Sequence, residues 1–220
     1  MSCRKRCATS RLSPDECATA DDGSDGEFAV GNPKHCIDRC ERRRVSDGST
    51  VARHLDVLEA AFLIRRLRLH FANLSKRLVR TPKIYVRDSG LLHFLGGLRA
   101  ESDLETWHKR GASFEGFVVE ELLAQAGDRV ARPYAAFWRT SAGVEVDLLV
   151  GTEANLFPVE VKSGSKIDAR DLRGMKTAMK DLGLRRGWVV LGDGERQDLG
   201  DGVEAVPWPL IARGEVRLPI

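Results

Sequence analysis

Long apolar runs are missing from this sequence of 220 residues. No run approaches the ~18–20 consecutive apolar residues that a membrane-spanning helix needs. The basic residues 4–6 are also not followed by an apolar stretch, as they would be in a secretory signal. The sequence therefore predicts a cytoplasmic protein that has no membrane partner.

Cysteine is absent after residue 40. All five cysteines lie within the first forty residues, and an odd number without a signal segment argues against a disulfide framework. The C-x3-C spacing of Cys3/Cys7 and Cys36/Cys40 is compatible with zinc but not specific for it. Residues 1–48 also lack hydrophobic periodicity, which predicts a disordered or remnant segment.

Acidic residues are scarce between residues 51 and 100, which carry ten basic and three acidic side chains and a local charge of +7. Residues 101–220 carry sixteen basic and twenty acidic ones. This change indicates two units, of which the basic one either contacts DNA or presents a solvated face. The candidate nucleic-acid-binding residues are Arg65, Arg66, Arg68, Lys76, Arg77 and Arg80.

Residues 49–100 are predicted to form a small winged-helix-like unit. Val51, Leu55, Leu58 and Phe62 recur at helical spacing and predict an amphipathic helix. A basic loop, a short strand and a second helix follow. This order of elements suits a small basic unit ahead of the main domain.

An α/β domain is predicted over residues 108–210. The predicted elements are a helix at 114–125, strands at 135–140, 144–150 and 156–162, a helix at 168–182 and a strand at 186–191. Three strands in sequence indicate an antiparallel meander, and the helix between the last two strands indicates a crossover to a parallel strand.

Two of these strands carry charged residues in a pattern that suits phosphodiester chemistry. Glu145 and Asp147 lie two residues apart, as do Glu160 and Lys162, so each pair is expected on one face of its strand. Carboxylates this close resist joint ionisation unless a cation neutralises them. Mg²⁺ prefers such oxygen ligands and polarises phosphate, while a lysine stabilises the developing negative charge.

The pattern D-x12-E-x-K, preceded by a helix that carries a glutamate, is similar to that of the PD-(D/E)xK nuclease superfamily. The resemblance implies a restriction-endonuclease-like fold for residues 108–210. It also implies that Asp147 and Glu160 bind the metal, that Lys162 serves catalysis, and that Glu115 completes the catalytic site.

A closer resemblance covers about residues 50–210. The segments KIYVRDSGLL (83–92), FEGFV (114–118), EVD (145–147) and EVKS (160–163) resemble the C-terminal half of a prokaryotic AAA+-type ATPase family. That half is catalogued as domain of unknown function 4143. Members of this family carry an N-terminal ATPase domain with a G-x4-G-K-[ST] phosphate loop. This chain has no such motif, so we expect no ATP site in it.

Two functions remain open at this point. The first is a DNA-associated module with Mg²⁺-dependent phosphodiesterase chemistry. The second is a non-catalytic regulatory or interaction domain of a former ATPase. In the second case the partner is DNA, a separate ATPase or another copy of the chain.

Overall fold

The structure is a computed structural model that describes residues 48–70 and 81–220. In this part of the chain it contains six helices and eight strands. The helices are α1 (Gly48–Ala60), α2 (Ser89–Leu95), α3 (Glu101–Thr106), α4 (Arg110–Gly127), α5 (Ala169–Leu182) and α6 (Trp208–Ala212). The strands are β1 (Ile64–Leu69), β2 (Lys83–Val86), β3 (Tyr134–Arg139), β4 (Glu145–Thr152), β5 (Asn155–Lys162), β6 (Gly187–Leu191), β7 (Gln197–Asp198) and β8 (Val203–Pro207).

Two predictions for the N-terminal segment, its disorder and a zinc site at its cysteines, lie outside the described residues. Among the described helices, none has the length and apolar character needed to cross a membrane.

Local signals explain the elements from α4 to β6, which follow the predicted order. At the start of α5, the Asp168 side chain accepts hydrogen bonds from the backbone N–H groups of Arg170 and Asp171. At its end, Gly183 adopts a left-handed conformation with φ of 67°, which glycine accommodates without strain. These signals set both ends of the helix within one residue of the prediction.

The strands form one mixed sheet in the order β2-β1-β3-β4-β5-β6-β8-β7. The strands β3, β4 and β5 are antiparallel neighbours, and β5, β6 and β8 run parallel. The predicted meander and crossover are therefore both present.

The sheet lies between two apolar layers. On one face, α4 contributes Val118, Val119 and Leu122 to a cluster that includes Leu148 and Val159 of the sheet. On the other face, residues of α5, with Met175 at their centre, pack against a second apolar cluster of the sheet. Burial on both faces accounts for the continuous apolar character of the central strands.

The first two strands belong to the same sheet as the rest. β1 pairs antiparallel with β2, and it pairs parallel with β3 through Arg68↔Ala136 and Leu69↔Phe137. Residues Ser49–Ile220 form one compact unit. The structure thus joins residues that the change in charge had suggested to be two units, because composition does not report on strand pairing across the chain.

Candidate functional site

Asp147 lies where β4 and β5 separate. The β4–β5 pairing ends at Leu148 and Val159. Beyond that pair, β4 continues beside β3 and β5 continues beside β6. In the resulting gap, Asp147 Oδ2 accepts a hydrogen bond of 3.0 Å from the backbone N–H of Val161. The carboxylate thereby replaces a strand-to-strand hydrogen bond and is held in one orientation.

An extra residue in β4 directs Asp147 toward α4. Ala136 and Trp138 are two residues apart in β3, but their partners Leu149 and Val146 are three apart in β4. Such a bulge interrupts the alternation of side chains between the faces. Val146 and Leu149 both pack in the apolar layer under α5. Asp147, between them, points the other way.

Lys83 lies at the centre of the acidic group. Its Nζ atom donates to Glu115 Oε1 at 2.8 Å and to Asp147 Oδ1 at 2.7 Å, and lies 2.6 Å from Glu145 Oε1. Burial alone lowers the pKa of Lys83, but the negative charges of Asp147 and Glu115 outweigh it and raise this pKa above its usual range. The residue is therefore a permanent cation that bridges β2, α4 and β4.

Tyr85 contacts the same group. It lies two residues after Lys83 in β2, and its hydroxyl donates to Glu115 Oε1 at 2.5 Å. Burial, followed by the charge of Glu115, raises the pKa of Tyr85, so the hydroxyl stays protonated as a donor. Gly116 leaves room for the ring, since a Cβ atom at this position would lie 3.0 Å from Tyr85 Cδ1.

A second ion-pair group lies toward α5. Lys162 Nζ is 2.9 Å from Glu160 Oε1 and 2.9 Å from Oδ1 of Asp171, a residue in the first turn of α5. Val159 and Val161 pack in the layer under α4. The residues that alternate with them, Glu160 and Lys162, accordingly face α5.

Charge imbalance persists in spite of the two lysines. The two groups hold five carboxyl groups against two ammonium groups and the guanidinium of Arg139, which lies 3.4 Å from Glu145 Oε2; their formal charge is −2 if all are ionised. Burial, and then the negative charge of Asp147, raise the pKa of Glu160 to about 8. The same two causes raise the pKa of Glu115. The carboxylates of the site therefore repel one another when they are ionised.

The four predicted catalytic residues are divided between the two groups. Glu115 and Asp147 meet at Lys83, and Glu160 and Lys162 pair with each other. Asp147 connects the groups, because its second oxygen binds the N–H of the residue between Glu160 and Lys162. The geometry differs from the single shared face that the two-residue spacings predicted, since the bulge in β4 turns Asp147 toward α4.

Sequence reasoning missed three members of the site: Lys83, Tyr85 and Asp171. Lys83 and Tyr85 are two residues apart in a short strand, the same spacing that marked Glu145 and Asp147. That spacing was a usable signal for one shared face. Asp171 carried the signal of a capping box with Asp168, which explains its place in the first turn but not its contact with Lys162.

Two of the predicted nucleic-acid-binding arginines have partners within the chain. Arg65 donates to Glu120 Oε2 at 3.0 Å, and Arg66 donates to Glu59 Oε2 at 2.6 Å. Arg68 is exposed. The remaining candidates, Lys76, Arg77 and Arg80, lie outside the described residues.

The fold and site thus define an α/β protein with buried acidic residues and partly buried lysines where two central strands separate. Residues 110–211 match the family model described as "Domain of unknown function (DUF4143)", and residues 39–102 match the one described as "Domain of unknown function (DUF8612)". The first match confirms the resemblance to domain of unknown function 4143. Lys83 and Tyr85 come from the segment matched by the second model.

Two curated proteins are similar to this chain in sequence. They are the uncharacterized protein Mb2031c of Mycobacterium bovis and the uncharacterized protein Rv2008c of Mycobacterium tuberculosis. Each is 41% identical over 159 residues, which cover 72% of this chain and 35% of the relative. The chain spans about a third of the length of the curated relatives it matches.

Proposed function

We propose that residues 49–220 form a nuclease-like interaction module that binds a partner without cutting nucleic acid. The observation that carries this proposal is the position of the Lys83 ammonium group among three carboxylates. The ammonium group of Lys83 neutralises part of the negative charge of those carboxylates. The ion pairs of Lys83 hold β2, α4 and β4 together and occupy the acids.

The term nuclease-like rests on the order of elements and on Asp147. The order α4-β3-β4-β5-α5-β6 is similar to the helix-strand order expected from the PD-(D/E)xK resemblance, and Asp147 lies where the two strands that carry the D and ExK residues separate. In this proposal, β1 and β2 extend the nuclease-like sheet. A fold does not determine an activity, which depends instead on the residues of the site.

The metal ion that a PD-(D/E)xK site implies does not fit the pocket as it is arranged. In residues 48–70 and 81–220, no three His, Cys, Asp or Glu side chains are grouped so as to hold a metal ion. The point that Glu115, Glu145 and Asp147 share is the position of the Lys83 ammonium. Glu160 is directed to Lys162 instead. No catalytic step through a metal follows from this arrangement.

A separate ATPase polypeptide is the partner we propose. The family that the sequence resembles carries an ATPase domain, so an ATPase is the partner that this resemblance favours. DNA is the weaker candidate, because Arg65 and Arg66 already form salt bridges with Glu120 and Glu59 within the chain. Salt bridges of this kind must break before the same guanidinium groups can bind phosphate.

A cleavage assay tests the absence of nuclease activity. Plasmid, branched and single-stranded DNA are incubated with the purified chain in MgCl₂ or MnCl₂, beside an Asp147→Ala variant. We expect no difference between the two proteins. Metal-dependent cleavage by the wild type that disappears in the variant would contradict the proposal.

A nuclease is the second candidate function, and one observation favours it. Glu160 is buried beside Lys162, and its pKa is raised to about 8, a value suited to proton transfer near neutral pH. Cleavage lost in both Asp147→Ala and Glu160→Gln would support this candidate. Cleavage that survives both substitutions would mark a contaminating nuclease.

A further inference from the structure

The environment of Lys83 resembles that of a bound cation more than that of a surface ion pair. Three carboxylate oxygens, from Glu115, Glu145 and Asp147, lie 2.8, 2.6 and 2.7 Å from one nitrogen atom. They come from two separate elements, α4 and β4. An ordinary surface salt bridge joins one acid to one base and contributes little to stability.

Burial makes this environment costly unless the charges match. The Lys83 side chain is 20% exposed and the Asp147 side chain 12% exposed. Removing ions from water is unfavourable, so carboxylates converge only where a cation offsets their repulsion. Here the cation is part of the chain.

We propose that the Lys83 ammonium takes the place that a divalent metal ion would occupy in a nuclease-like pocket. The inference rests on the proposed non-cleaving function, because the ammonium and a metal ion would compete for the Asp147 carboxylate. It assigns a role to β2, which carries the internal cation to the acids of α4 and β4.

Distances support the exchange of one cation for another. The three oxygens surround a common point at 2.6–2.8 Å, whereas Mg²⁺–oxygen distances are about 2.0–2.1 Å. Each carboxylate would move inward by about 0.6 Å to hold the smaller ion.

Calorimetric titration with MnCl₂ tests the inference without relying on cleavage. The proteins are the wild type, Lys83→Ala, Lys83→Arg and the double variant Lys83→Ala/Asp147→Asn. We expect Lys83→Ala to bind one Mn²⁺ with a Kd at least tenfold below that of the wild type. Lys83→Arg, which keeps the positive charge, and the double variant, which loses a ligand, are expected to bind like the wild type.

Two measurements guard against a variant that does not fold. Circular dichroism verifies the fold of each protein, and Lys83→Gln, which retains a polar side chain, replaces Lys83→Ala if the latter is unfolded. A folded variant lacking Lys83 that gains no Mn²⁺ affinity overturns the inference. Tight Mn²⁺ binding to the wild type that depends on Asp147 also overturns it.

These results separate the inference from the proposed function. If the wild type does not cleave DNA and Lys83→Ala binds no Mn²⁺, the non-cleaving function stands and the cation replacement fails. Cleavage by the wild type that needs both Mn²⁺ and Asp147 overturns the function itself.

Discussion

At the scale of single residues, the pocket shows how a protein manages more buried acids than bases. Lys83 bridges three carboxylates, and Lys162 bridges Glu160 and Asp171. The remaining imbalance falls on Glu160, whose pKa is raised to about 8 by burial and by Asp147. The protonation of Glu160 is therefore coupled to folding.

Glu160→Gln is expected to flatten the dependence of stability on pH. The pKa of Glu160 is about 8 in the folded chain, against an ordinary value of 4.5 for a glutamate. The stability that protonation of Glu160 provides is full below about pH 4.5 and is lost as the pH rises through about 8. Glutamine is neutral at every pH. The Tm of the variant should therefore fall less between pH 5 and pH 8 than the Tm of the wild type.

Melting curves between pH 5 and pH 9 measure this difference. Glu153→Gln is the matched control, because Glu153 is exposed and the substitution removes the same charge. Parallel pH profiles for Glu160→Gln and the wild type would contradict the assignment of a raised pKa to Glu160.

At the scale of elements, α4 holds the first two strands against the sheet. Glu120 of α4 accepts hydrogen bonds from Arg65 of β1 at 3.0 Å and from Arg87, which follows β2, at 2.8 Å. The Glu120 side chain is only 11% exposed. The pKa of Glu120 is lowered, since hydrogen bonds from the two arginines outweigh the effect of burial.

Glu120→Gln is expected to destabilise the chain by about 1.5–3 kcal/mol, the range for losing hydrogen bonds to a charged group. Urea unfolding measures the loss. Glu121→Gln on the same helix is the control, because Glu121 is exposed and should change stability little. Equal effects of the two substitutions would show that Glu120 does not join the elements.

The turn between α1 and β1 contains a residue whose substitution should stabilise the chain. Phe62 has a left-handed backbone with φ of 59° and is 74% exposed. The backbone N–H of Leu63 donates to the carbonyl of Leu58, as in helix ends that usually carry glycine at this position. A left-handed residue with a side chain costs about 1–2 kcal/mol, and glycine loses about 0.5–1 kcal/mol in chain entropy.

Phe62→Gly is therefore expected to stabilise the chain by about 0.5–1 kcal/mol, the difference between those two costs. Phe94→Gly, at an exposed position inside α2, should instead destabilise it by a similar amount. Urea unfolding of both variants measures the contrast. A loss of stability in Phe62→Gly would mean that the contact of its ring with Arg87 matters more than the backbone strain.

The elements that sequence predicts well are those with local signals. These signals lie within a few residues of the features they determine. They are the cap at Asp168, the left-handed Gly183 and the alternating residues of β4 and β5. The bulge at Asp147 was not predictable in this way. It depends on how β3 and β4 pair, and an extra residue leaves no mark in the local pattern.

At the scale of the whole molecule, the decisive contacts join distant parts of the chain. The pairing of Arg68 with Ala136 places β1 beside β3, and β2 then carries Lys83 to the acids of α4 and β4. Neither charge nor periodicity of residues 49–100 reveals this pairing. For that reason the sequence indicated the four acidic and lysine residues but missed Lys83, the cation that joins Glu115 and Asp147.

A fragment of residues 108–220 is expected to be much less stable than residues 49–220. Without β1 and β2, the fragment exposes the edge of β3 and leaves Glu115, Glu120 and Asp147 without their cationic partners. Circular dichroism during urea unfolding compares the two lengths. Equal free energies of unfolding would contradict the single sheet and support two independent units.

The most direct test of the internal cation is anomalous diffraction from wild-type crystals soaked in MnCl₂. We predict no manganese peak at Asp147 and a Lys83 Nζ atom that stays near the 2.7 Å seen here from Asp147 Oδ1. A manganese peak bonded to Asp147, with the Lys83 side chain turned away, would contradict the account.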